Sequence, residues 1–84
     1  MSNLVINAIL KQDTAIKRAS LIKLCIAIAL QFLRLNNYSG CVQIVSGLNN
    51  TSIQRLTHTW SIVGQHLFEV KERLATLLKG NFTL

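Results

Sequence analysis

The chain has 84 residues, half of them apolar, with a formal net charge of +6, no proline and three acidic groups. At this length, apolar burial at about 25 cal/mol per Å² roughly offsets an ordering cost of about 1.5 kcal/mol per residue. A mean hydropathy of +0.38 is also more than so small an interior hides. Intrinsic disorder is therefore excluded as the main state, and membrane insertion, oligomerisation or membership of a larger core are left to weigh.

Residues 1–12, the lead-in segment MSNLVINAILKQ, lack strong periodicity. They also lack the basic start of a secretory signal, and Asn7 interrupts their apolar run. Cys25 and Cys41 are accordingly expected as reduced, buried thiols of a cytosolic protein. Asn-x-Ser/Thr sequons, such as those starting at Asn49, Asn50 and Asn81, are expected to carry no glycan.

Asp13 or Thr14 can cap a helix that runs to about Leu35. Leu21, Leu24, Cys25, Ile28, Phe32 and Leu35 fall on one face. A second row, Ile22, Ile26, Leu30 and Leu33, covers much of the other side and leaves a narrow stripe of Ser20, Lys23, Ala27, Gln31 and Arg34 for water. A helix apolar nearly all round is enclosed by neighbours on several sides. Its most apolar stretch, residues 24–33, is interrupted by Gln31 and falls well short of the about 20 residues a membrane span needs.

The run Asn36 to Gly40 breaks this helix. Residues 41–48 have strand and helix propensity in equal measure. Helical neighbours, the lack of a pairing strand and a capping Ser39 favour helix. Gly47, Asn49 and Asn50 mark a turn. Thr51 with Gln54 forms a capping box opening a helix whose apolar face is Ile53, Leu56, Trp60 and Val63. Gly64 interrupts it. Residues 65–79 carry a stripe of Leu67, Val70, Leu74, Leu77 and Leu78, with Glu69 placed for an i,i+4 pair with Arg73 and Gly80 as a stop. The pattern predicts an all-α fold of four helices.

Few residues here could do covalent chemistry. Cys25, Cys41, His58 and His66 are 16, 17 and 8 apart, which matches no zinc spacing. Both thiols lie on apolar faces, where the nucleophilic thiolate is disfavoured. Glu69 and Glu72 belong to an exposed helical face, far in sequence from Asp13. The glycines at 40, 47, 64 and 80 form no phosphate loop. No metal, cofactor or catalytic residue is expected. The basic groups are spread out, five against one acidic residue in 1–42 and four against two in 43–84. They fill the polar stripes of helices and do not cluster as nucleic-acid binders do, so nucleic acid is not an expected partner. A basic, amphipathic, membrane-binding or self-associating helical protein is the rival reading. Sharp, capped turns argue against it.

Residues 33–60 are more specific. They supply Leu35, Asn37 and Tyr38; then Ile44, Val45, Ser46, Gly47, Leu48, Asn49, Asn50 and Thr51; then Ile53, Arg55, Leu56, Thr59 and Trp60. This block resembles the core of the catalytic domain of Ras-type guanine-nucleotide exchange factors, the all-helical Son-of-sevenless-like module. The family pattern runs Leu-x-Asn-(Phe/Tyr), then Ile/Val-(Ile/Val)-Ser-(Gly/Ala)-(Leu/Met)-Asn-(Ser/Asn)-(Ser/Thr), then x-(Val/Ile)-x-Arg-Leu-x-x-Thr-(Trp/Phe). Upstream, IKRASLIKLCIAIAL is similar to the long buried helix that precedes the motif. Downstream, the helix to Lys79 and the pair Asn81-Phe82 are similar to the helix and loop that come after the motif in that family.

The resemblance implies that residues 13–84 are a partial exchange-factor domain, a fragment of its helical bundle. Its partner is then a Ras-like small GTPase. It works without covalent chemistry, by binding the nucleotide-free GTPase more tightly than the nucleotide-bound form. Carried over by position, Val42 and Val45 offer apolar contact to the GTPase, and Ser46, Asn49, Asn50 and Gln54 polar contact, Asn49 foremost. Ile44, Leu48, Leu56 and Trp60 hold the scaffold. The helical hairpin that expels the nucleotide lies beyond this region in the family, so full exchange activity is not expected of these residues. The remainder of a larger domain, or a second copy, would cover the apolar helix. The implied location is cytoplasmic, with recruitment to the inner face of the plasma membrane.

Overall fold

The computed structural model describes the backbone of residues 2–81 and the side chains of residues 5–78. It is all-α. Where the sequence predicts four helices, the described residues form six: α1 (Ser2–Leu10), α2 (Ala15–Arg34), α3 (Tyr38–Leu48), α4 (Thr51–Gln54), α5 (Thr57–Val63) and α6 (Gln65–Asn81). The molecule measures 34 × 25 × 21 Å.

The lead-in segment folds as α1. A helix this short is marginal by itself, and packing holds it: Ile9 is fully buried, and Val5 and Ile6 pack beside it against the first core cluster. Its apolar residues, Leu4, Val5, Ile6, Ala8, Ile9 and Leu10, run nearly without a break and so mark no face, which is why the pattern hid it.

The α2 helix is the central element, packed most extensively against α3 and α5. Of the two candidate caps, Thr14 is the N-cap, its side-chain oxygen accepting from the Lys17 N–H at 3.2 Å. Asp13 pairs with the Lys17 ammonium instead, at 3.1 Å in solvent, where such a pair contributes little. The buried face is Ala19, Ile22, Ile26 and Ala29. It keeps Ile22 and Ile26 of the second apolar row and recruits two alanines, while Leu30 of that row is exposed and Leu33 half-buried. Both rows were expected to be enclosed, and the first is also in part outside: Leu24, Ile28 and Leu35 are exposed, as is Ile16. Small residues let neighbouring helices approach closely, and a reading that weights large side chains passes over them.

Asn36 takes the left-handed conformation (φ 60°) that ends α2. Residues 41–48 are helical, as favoured, but the N-cap of α3 is Asn37 in place of Ser39, its Oδ1 accepting from the Gly40 N–H at 3.1 Å. Gly47 lies buried within α3, outside the turn it was expected to mark. The expected capping box at Thr51 and Gln54 is replaced by Asn50, whose Oδ1 accepts from the Ser52 N–H at 2.9 Å. An asparagine one residue earlier reaches the free amides of the first turn directly, so the reciprocal box is not needed. The helix expected from Thr51 to Val63 is divided at Arg55 and Leu56 into α4 and α5. Gly64 (φ 98°) then separates α5 from α6, as its position predicts. The backbone of α6 continues through Gly80 to Asn81, so Gly80 does not stop it. Phe82 lies outside the described residues.

The interior has two clusters. Ile9, Ala19, Ile22, Ile26, Leu48, Ile53, Trp60 and Val63 form the first, and Ala29, Cys41, Val45, Leu74, Ala75 and Leu78 the second. The expected scaffold residues are there: Leu48 and Trp60 are buried, and Ile44 and Leu56 pack against the first cluster. Trp60 donates its indole N–H to the Ile53 carbonyl at 3.0 Å, which ties α4 to α5 across the break between them.

Candidate functional site

The end of α3, the turn after it and α4 meet the middle of α6 around an open cavity of about 460 Å³. Its lining is Val45, Ser46, Asn49, Gln54, Glu72, Ala75 and Thr76. Helical spacing sets this geometry. Residues 45, 46 and 49 share one face of the last turn of α3, and residues 72, 75 and 76 share one face of α6. Four of the six residues expected to contact a partner, Val45, Ser46, Asn49 and Gln54, come together here.

The other two do not line the cavity. Val42 is half-buried and packs against the second core cluster. Asn50 is exposed, and its carboxamide caps α4. Val45 is only 1% exposed, so its side chain serves the core while forming the floor of the cavity. Thr76 donates its hydroxyl to the Glu72 carbonyl at 3.0 Å, an in-helix bond.

Asn49 is the most engaged residue of the group. Its Oδ1 accepts from the Lys71 ammonium at 2.9 Å and from Gln54 Nε2 at 3.4 Å. Sequence reasoning misses Lys71, because it assigns the basic residues to solvated stripes, yet Lys71 is 0% exposed. Its second acceptor is Glu72 Oε1 at 3.1 Å, on a carboxylate about half exposed. Its Nζ lies 4.6 Å from the Phe68 ring centroid and 5.3 Å from that of Trp60, within cation–π range. The two rings meet edge to face, 5.4 Å apart at 82°. A signal was available: Lys71 sits four residues after Leu67 and three before Leu74, on the stripe read as the buried face of α6.

Glu69 accepts from Gln65 Nε2 at 3.4 Å. The expected pair with Arg73 does not form, the ion pairs among the described residues being Lys17–Asp13 and Lys71–Glu72. Burial pushes both thiols, Cys25 and Cys41, above the ordinary range by disfavouring the thiolate. Cys41 is fully enclosed, whereas Cys25 is only half-buried, short of what its apolar face suggested. His58 and His66 are exposed, and no three of His, Cys, Asp or Glu come together among the described residues. No helix among those residues is long and apolar enough to cross a membrane.

The polar lining of the cavity is two carboxamides, two hydroxyls and one carboxylate. Comparison with known proteins agrees with the motif reading. The RasGEF domain matches residues 1–82. Ras guanine nucleotide exchange factor K of Dictyostelium discoideum is 36% identical over 70 residues, 83% of this chain and 4% of that one. Factor C of the same organism is 34% identical over 86 residues, covering 99% and 6%. Ras-specific guanine nucleotide-releasing factor 2 of Danio rerio is 36% identical over 74 residues, covering 88% and 6%. The chain thus spans about one-twentieth of the length of these relatives. With an all-helical fold, the motif from Leu35 to Trp60 and a family match over nearly its whole length, the chain belongs to the RasGEF domain family.

Proposed function

We propose that these 84 residues form a guanine-nucleotide exchange-factor module that grips a Ras-family small GTPase. The grip is the rim formed by the end of α3, the following turn and α4. The observation that carries this reading is the convergence of Ser46, Asn49 and Gln54 on one open cavity, which Glu72 and Thr76 complete. Val42 and Asn50 remain candidate contacts at its margins, one half-buried and one exposed. The mechanism is differential binding. Affinity for the nucleotide-free form beyond that for the GDP-bound form shifts the equilibrium toward GDP loss, and no bond in the protein is made or broken. No catalytic residue is involved, and the protein acts without being an enzyme in the covalent sense. The work is done in the cytoplasm, with recruitment to the inner face of the plasma membrane.

A panel of Ras-family GTPases loaded with fluorescent GDP tests the reading. The chain should bind nucleotide-free GTPase at least about tenfold more tightly than the GDP-bound form, a difference of about 1.4 kcal/mol. It should leave the GDP release rate unchanged. Accelerated release would show that these residues suffice for exchange. Equal affinity for the two forms, or no binding across the panel, would remove the functional claim.

A further inference from the structure

A buried lysine side chain needs an account, because an unpaired ammonium in the interior is strongly unfavourable. Lys71 comes from the middle of α6 and meets a residue 22 positions earlier, Asn49. An ammonium has three donors and no acceptor. Two of its protons go to Asn49 Oδ1 and Glu72 Oε1, and the rings of Phe68 and Trp60 lie beside the same nitrogen.

That inventory fixes what Asn49 offers. The two ends of a carboxamide are normally told apart only by their partners, and here a partner that can only donate must face the oxygen. Gln54 Nε2 donates to that same oxygen. The amino group of Asn49 is therefore the half of the carboxamide left for the cavity that the residue lines.

We propose that Lys71 is a positioning residue: it locks Asn49 so that the Nδ2 amino group is presented as a hydrogen-bond donor to an acceptor oxygen of the GTPase. This rests on the reading that the cavity rim grips a GTPase. Glu72 belongs to the same device, since its carboxylate holds the ammonium from the solvent side.

Four variants of the full chain test it, read by thermal melting and by affinity for a nucleotide-free Ras-family GTPase, with NMR relaxation of the Asn49 side-chain amide as a third readout wherever Asn49 is retained. Asn49→Asp keeps an acceptor for Lys71 but loses the amino group. It should melt no lower than the wild type and bind about tenfold more weakly. Lys71→Met exchanges the buried ammonium for an apolar side chain of similar length. It should remain folded, release the Asn49 amide into faster motion and weaken binding several-fold. Combined with Asn49→Ala, it should weaken binding no further than Asn49→Ala alone. Wild-type affinity in Asn49→Asp overturns the donor role. An Asn49 amide as rigid in Lys71→Met as in the wild type overturns the positioning role, and this readout needs no GTPase. A wild-type chain that binds no GTPase overturns the recognition reading and the donor role with it, while the amide relaxation still decides whether Lys71 holds Asn49.

Discussion

Gly64 is the described glycine with a positive φ, 98° with ψ 153°, a conformation essentially reserved for glycine. An added Cβ would meet nothing within 4 Å, so the constraint there is the backbone and not space. Gly40 is the reverse. A Cβ there would come within 2.7 Å of the Phe32 ring, so its lack of a side chain serves the close approach of α3 to α2. Gly64→Ala should therefore lower stability by about 1–3 kcal/mol, read as a shift in denaturation midpoint, without altering the cavity between α3 and α6. Asn36, Asn37 and Asn50 do comparable local work through their side chains or a left-handed φ. An asparagine-rich turn marks where helices stop, but which asparagine caps and which is left to meet a partner is decided by a shift of one residue.

At the scale of the element, α2 shows how far periodicity reaches. Its length and start were legible, because a capping Thr14 and an unbroken apolar pattern determine them. Its orientation was not, because apolar residues nearly all round leave the moment weak and the neighbours decide. Positions two residues apart should therefore respond in different ways. Ile26→Ala, in the first core cluster, should cost about 2–5 kcal/mol. Leu24→Lys, at a side chain 54% exposed, should change stability by about 0.5 kcal/mol or less and raise the solubility of this chain. Equilibrium denaturation of the two variants checks both. The exposed row of Ile16, Leu24, Ile28 and Leu35 accounts for part of the high apolar content: some of the excess is on the outside.

At the scale of the whole molecule, α2 carries residues of both core clusters, and Ile44 and Val70 pack against both. The interior is thus linked through α2, through α3, which supplies Leu48 to the first cluster and Cys41 and Val45 to the second, and through Val70 of α6. Both thiols sit in or against this interior and are held above their ordinary range by burial. As pH rises past about 8.5, where free thiols ionise, the unfolded chain releases these protons before the folded one does. Stability from this source is thus intact below that pH and is lost as pH rises toward the folded-state values. Denaturation at pH 7.5 and 9.5 should show the fall, and a Cys25→Ala, Cys41→Ala double variant should show a smaller one.

What the sequence determined by itself was what local chemistry decides. Helix class, the breaks at Asn36 and Gly64, and the family motif from Leu35 to Trp60 are written in residue types at short spacings. Capping and φ preferences act within four or five residues, so they can be read along the chain. The tertiary structure decided the rest. It divided the described residues into six helices, turned the alanine face of α2 inward, and placed Ser46, Asn49 and Gln54 opposite Glu72 and Thr76. Above all it took Lys71 out of the solvent. A charged residue on an apolar stripe can turn outward or find partners, and the partners here, Asn49 and two aromatic rings, are 22, 11 and 3 residues away. Only folding brings the more distant of them within reach, so the linear pattern could mark the place of Lys71 on the apolar stripe but not the partners that hold it there.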